Sequence, residues 1–138
     1  MSEVNFIIVK PEVSNAGFGA AVVEQFLAVA ADILDELDEE EYNSHMQVAC
    51  LTRYANTCIE NGDLLELKRI LRFVDEVLPK VDSSLDDALY VSFIEMLHLD
   101  GDAPVRKAAR ELLSPWQLKF YLAVVDFYSK LPNKTKTS

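Results

Sequence analysis

Hydrophobic positions recur at helical spacing along most of this 138-residue chain. The most apolar window lies at residues 84–98. Leu85, Leu89, Phe93, Met96 and Leu97 return every three or four positions, and Val91 and Ile94 add apolar surface elsewhere on the same turn. A helix greasy over so much of its girth is normally surrounded by other elements, so the pattern predicts a central core helix there. Upstream, Val23, Phe26, Leu27, Ala30, Ile33, Leu34 and Leu37 predict a helix over residues 20–37, after a Gly- and Asn-containing loop at 14–19. Val48, Leu51, Ala55, Cys58 and Ile59 predict one over 44–60, and Leu67, Ile70, Leu71, Val74, Val77 and Leu78 one over 63–78. A short fifth helix is expected over 102–113. A sixth, rich in Phe120, Tyr121, Val124, Val125 and Tyr128, is expected over 114–131. Residues 4–9 are β-branched and aromatic and predict a strand or extended arm, with no second strand to pair it.

Punctuation agrees with this division. Ser44 with Gln47, and Ser114-Pro115 with Gln117, read as capping boxes, in which the Ser oxygen and the Gln side chain each serve the other's backbone N–H. Asp63 and Asp102 read as caps at the next helix starts, and Gly62 and Gly101 as stops. The Gly62-Asp63 and Gly101-Asp102 pairs fall 39 residues apart, a period in the range of helical repeats. The expected fold is all-α: about six helices as stacked antiparallel hairpins, a HEAT-like helical bundle, with a short N-terminal extended segment. One domain over residues 1–132 and a disordered tail over 133–138 follow from the same pattern.

Leu89-Tyr90-Val91-Ser92-Phe93-Ile94-Glu95-Met96-Leu97 resembles a helix of the small all-helical immunity proteins encoded beside bacterial polymorphic toxins and contact-dependent growth inhibition systems. The likeness extends from about residue 47 to 128. It implies a cytoplasmic protein whose partner is a cognate toxin domain. Residues 102–113 also resemble the second helix of a HEAT repeat.

Charge sharpens that expectation. The chain carries 23 acidic and 13 basic residues, a net charge of −10. Such a balance disfavours nucleic acid and anionic membrane as partners, because phosphate binding calls for basic patches, and it suits a basic protein. Asp35, Glu36, Asp38, Glu39, Glu40 and Glu41 crowd into seven residues at the end of the first expected helix, where the macrodipole favours cations instead. Either they form a solvated loop, or they face a basic partner. The turn acids Glu60, Asp63, Asp100 and Asp102 form a second candidate patch.

Catalytic and metal chemistry find little foothold, and neither enzyme activity, a cofactor, a metal nor a small-molecule substrate is expected. His45 and His98 are the only histidines. Cys50 and Cys58, eight residues apart on one expected helix, stand about 12 Å from each other, too far for a disulfide, and read as small buried residues of a reducing cytosol. His45 falls roughly 140° around the helix from Cys50, which argues against a nucleophile–base pair, and reads as an exposed first-turn residue. No secretory leader or membrane span is visible. Glu95, in the midst of the most apolar window, calls for a cation, with Arg69, Arg72 and Arg106 as candidates. The function that the resemblance implies, with the charge beside it, is stoichiometric neutralisation of a toxin domain, a basic nuclease fitting best. The alternative is a HEAT-like adaptor or scaffold that binds a protein or peptide.

Overall fold

The computed structural model describes residues 15–29 and 44–131. Six α-helices fill them: α1 Asn15–Gln25, α2 Ser44–Asn61, α3 Leu64–Val77, α4 Ser83–Ala88, α5 Pro104–Glu111 and α6 Pro115–Ser129, with no strand among the described residues. The expected arm at 4–9, the second half of the first expected helix, the acidic run at 35–41 and the tail at 133–138 lie outside them.

The hub of the bundle is α2, against the expectation of residues 84–98. It packs on α1, α3, α4 and α5, and Val48, Cys50, Leu51, Ala55 and Ile59 are fully buried. The 84–98 window is instead a composite. After α4 the backbone widens into a π-helical segment, Leu89–Ile94, where the Glu95 N–H reaches back five residues to the Tyr90 carbonyl (3.1 Å). Leu85, Leu89, Phe93 and Ile94 enter the core and Tyr90 packs on Trp116 and Phe120, whereas Val91 and Met96 stay exposed, so the segment is not enclosed all round.

Two other boundaries move for identifiable reasons. Helix α1 begins at Asn15, inside the stretch read as a loop. Phe18, Val22 and Phe26 are spaced four apart and buried, and Phe73 contacts both aromatic rings. That burial outweighs the cost of glycine in a helix, about 1 kcal/mol each. At the other end of α1, Arg69 donates to the Gln25 carbonyl (2.9 Å), stacks on the Phe26 ring and pairs with Glu66. Helix α2 begins at Ser44, and the Gln47 side chain expected to close its capping box is buried without a hydrogen-bond partner.

The α2–α3 junction follows the sequence closely. Gly62 takes φ +73°, its N–H bonds to the Ile59 carbonyl (3.1 Å), and the Asp63 N–H bonds to the Cys58 carbonyl (2.8 Å). This is the two-bond closure that a left-handed residue gives a helix end. Asp63 then caps α3, accepting from the Glu66 N–H (3.3 Å). The capping box of α6 also forms, with the Ser114 N–H donating to Gln117 Oε1 (2.9 Å). One carboxylate fixes that helix start to α3: Asp75 Oδ1 accepts from Ser114 Oγ (3.0 Å), Trp116 Nε1 (2.5 Å) and Gln117 Nε2 (3.0 Å).

Candidate functional site

A polar stripe runs along α2 beside its buried face. Thr52, Asn56 and Glu60 recur every fourth residue and therefore share one side of the helix. They meet the far end of the π segment, where the widened backbone and the following turn leave main-chain groups without helical partners. Thr52 Oγ1 donates to the Ser92 carbonyl (2.6 Å), with the Val48 carbonyl as its alternative acceptor (2.9 Å). Asn56 donates to the Met96 carbonyl (3.1 Å) and accepts from the His98 N–H (2.7 Å). Glu60 Oε2 receives the Arg106 guanidinium (2.5 Å) and faces His98 Nδ1 (2.9 Å). The Arg106 guanidinium beside Glu60 holds its carboxyl below the usual range, and His98 adds to that. At the opposite end of the seam, His45 Nε2 lies 3.3 Å from Asp87 and Nδ1 lies 2.5 Å from Ser92 Oγ. His45 is thus a half-exposed bridge between helices rather than a free first-turn side chain.

Two adjoining clefts, of about 450 and 370 Å³, open over this seam and share Arg53, Asn56 and His98. Val91 and Met96 give one wall apolar character. Arg53 donates to Cys50 Sγ (3.3 Å) and forms no ion pair with a carboxylate among the described residues. The groove thus offers one guanidinium beside an apolar wall.

The second acidic patch proves to be largely engaged within the chain. Arg106 joins both turns, since it pairs with Glu60 and also donates to the Asp100 carbonyl (3.3 Å). Asp63 is occupied as a cap. The Asp100 carboxylate accepts from the Tyr121 hydroxyl (2.5 Å); burial, with that bond behind it, pushes Tyr121 up to about 12. Asp102 alone of the four is exposed with no side-chain partner among the described residues, and it does not cap α5, whose cap position is Ala103. The six acids at 35–41 lie outside the described residues.

Glu95 finds no arginine. It accepts from the Tyr128 hydroxyl (2.8 Å) and is part-exposed, while Arg69 is held at the end of α1 and Arg106 at Glu60. The thiol of Cys58 is buried, and burial, followed by the charges of Asp63 and Glu66, pushes it up to about 11. That suppresses thiolate and nucleophilic reactivity. No group of three His, Cys, Asp or Glu side chains is placed to hold a metal ion among the described residues. No described helix is long and apolar enough to cross a membrane.

A family model, described as a domain of unknown function, DUF7674, matches residues 20–129. The chain belongs to the DUF7674 family. The match spans every described element from within α1 to the end of α6. No curated protein and no solved structure matches. For this DUF7674 chain, the residues that sequence reasoning missed are Arg53, Asn56 and Asp75. The fourfold spacing of Thr52, Asn56 and Glu60 was a readable signal for the seam, whereas nothing local marks Asp75, whose partners lie 39–42 residues away.

Proposed function

We propose that this chain is an immunity protein, which binds a cognate toxin domain and neutralises it by stoichiometric occlusion. The observation that carries the reading is the distribution of charge: net −10, with six carboxylates in the seven residues 35–41. The described turn acids are mostly engaged inside the chain, which leaves the run as the stronger candidate for a basic partner such as a nuclease. Opposite charge raises the encounter rate and imitates the polyanion that such a toxin would bind. The resemblance of residues 89–97 to helices of immunity proteins supports the same reading.

The test begins with co-purification from the source cell and identification of a stoichiometric toxin partner. Replacing Asp38, Glu39, Glu40 and Glu41 by Asn or Gln should then slow association by about tenfold or more at low salt. Binding at the wild-type rate would remove the acidic run from the mechanism.

A second reading, a helical adaptor for a protein or peptide, draws on the groove over Arg53, Asn56, Val91 and Met96. If it holds, Arg53→Glu weakens partner binding while the acidic-run variant does not.

A further inference from the structure

Helix α6 is apolar on more than the side it packs. Gln117 is fully buried, Phe120 and Tyr121 are partly buried against the bundle, and Val124 is half-buried. A second stripe, Leu118, Leu122 and Val125, steps by four and three residues and lies 39%, 53% and 41% exposed. Steps of four and three are the spacing by which one helix seats against another. Lys119 and Asp126 each follow a stripe residue by one position. Seven residues turn a helix to within about 20° of two full turns, so these opposite charges share one flank, about 10 Å apart along the axis. Both are exposed; among the described residues Lys119 forms no ion pair, and the Asp126 carboxylate pairs with Lys130 alone, at 3.1 Å.

That pattern is complementary to itself. A two-fold axis through the stripe sets two copies of α6 antiparallel, and in an antiparallel pair each flank meets the same flank of its copy. Lys119 then faces Asp126 of the second copy, and Asp126 faces its Lys119. The charge of the helix points the same way. From Pro115 to Lys130 it holds two lysines and one aspartate, in a chain of net −10. A basic partner gains little there, whereas two acidic chains meet there without local repulsion.

We infer that α6 pairs two copies of this chain, antiparallel about a two-fold axis, with Leu118, Leu122 and Val125 in the seam and reciprocal Lys119–Asp126 pairs along its flank. The inference is independent of toxin binding. Sedimentation equilibrium of the full-length protein over a concentration series should show a monomer–dimer equilibrium. Lys119→Glu and Asp126→Lys should each raise the dimer dissociation constant at least about tenfold, because two attractions become two repulsions. An equimolar mixture of these two variants should dimerise again, since each position 119 then faces the opposite charge at 126. Leu122→Glu should abolish the dimer and leave the melting temperature of the monomer unchanged. A wild type that stays monomeric throughout the series overturns the inference, as do single variants that dimerise like wild type or a mixture that fails to recover. A lowered melting temperature of monomeric Leu122→Glu also overturns it, by showing that the stripe is covered from within the chain, for instance by residues 4–9.

Discussion

A single carboxylate oxygen, Asp75 Oδ1, collects a hydroxyl, an indole and an amide donor from the first turn of α6. Removing it strands donors in a part-buried site rather than deleting one contact, and an unsatisfied buried donor costs about 1–3 kcal/mol. Asp75→Ala should therefore destabilise the protein by about 2–4 kcal/mol in urea unfolding and shift the emission of Trp116, the only tryptophan. Tyr121 supplies a pH signature. Its hydroxyl is pushed up to about 12, against an ordinary value of 10. Between these values the unfolded chain has released the proton and the folded chain has kept it, so folding stability is intact below pH 10 and declines as pH rises towards 12. Melting temperature measured from pH 9 to 12 should fall less steeply for Tyr121→Phe than for wild type. Tyr54 and Tyr128 are raised too, the first mainly by burial and the second mainly by its bond to Glu95. They leave the variant a residual slope of the same sign.

At the scale of elements, the glycines that take a positive φ were legible, whereas Gly17 and Gly19, which suggest a loop, lie inside α1. Gly62 and Gly101 read as stops and both have positive φ, +73° and +100°, but only Gly62 closes a helix, since the segment before Gly101 ends at Ile94. A methyl group at Gly62 would meet Val105 at an ordinary 3.6 Å, and one at Gly101 would meet nothing within 4 Å. The cost of Gly62→Ala and Gly101→Ala is therefore conformational, about 1–2 kcal/mol each by chemical denaturation. A markedly larger loss would mean that a tight contact, not backbone geometry, selected glycine. The π segment was not legible, because Leu89, Phe93 and Ile94 fit an α pattern equally well and the extra residue per turn leaves no local mark. The partner of Glu95 was misread for a related reason. Sequence distance counts arginines but not their prior engagements, and Arg69 is held by Gln25, Glu66 and Phe26 while Arg106 is held by Glu60.

At the scale of the molecule, the all-α fold was readable because helical period, caps and stops agreed along the chain. The hub was not, since α2 is less apolar than residues 84–98 and owes its position to what packs around it. The candidate surfaces were readable as charge and only partly as geometry. The turn acids looked free in sequence, yet Glu60, Asp63 and Asp100 are engaged by Arg106, a backbone N–H and Tyr121. Six carboxylates within seven residues of sequence repel one another. Substituting Asp38, Glu39, Glu40 and Glu41 by Asn or Gln should consequently leave the melting temperature unchanged or slightly raised, as calorimetry would register. Wild-type association with a basic partner should in turn slow as added salt screens the charges.

Cys50 and Cys58 are both buried on α2, the helix against which most of the others lean. Neither thiol can meet a reagent while α2 stays packed, and in that packed state Cys58, pushed up to about 11 by burial, has little thiolate to offer. The native protein therefore contains its own clock of opening. Where opening and reclosing are fast relative to reaction, modification by a water-soluble thiol reagent should proceed at the intrinsic rate multiplied by the fraction of molecules opened at that moment. Destabilising substitutions far from α2, Asp75→Ala among them, should accelerate labelling of both cysteines by the same factor. Unequal acceleration would reveal that α2 opens in parts.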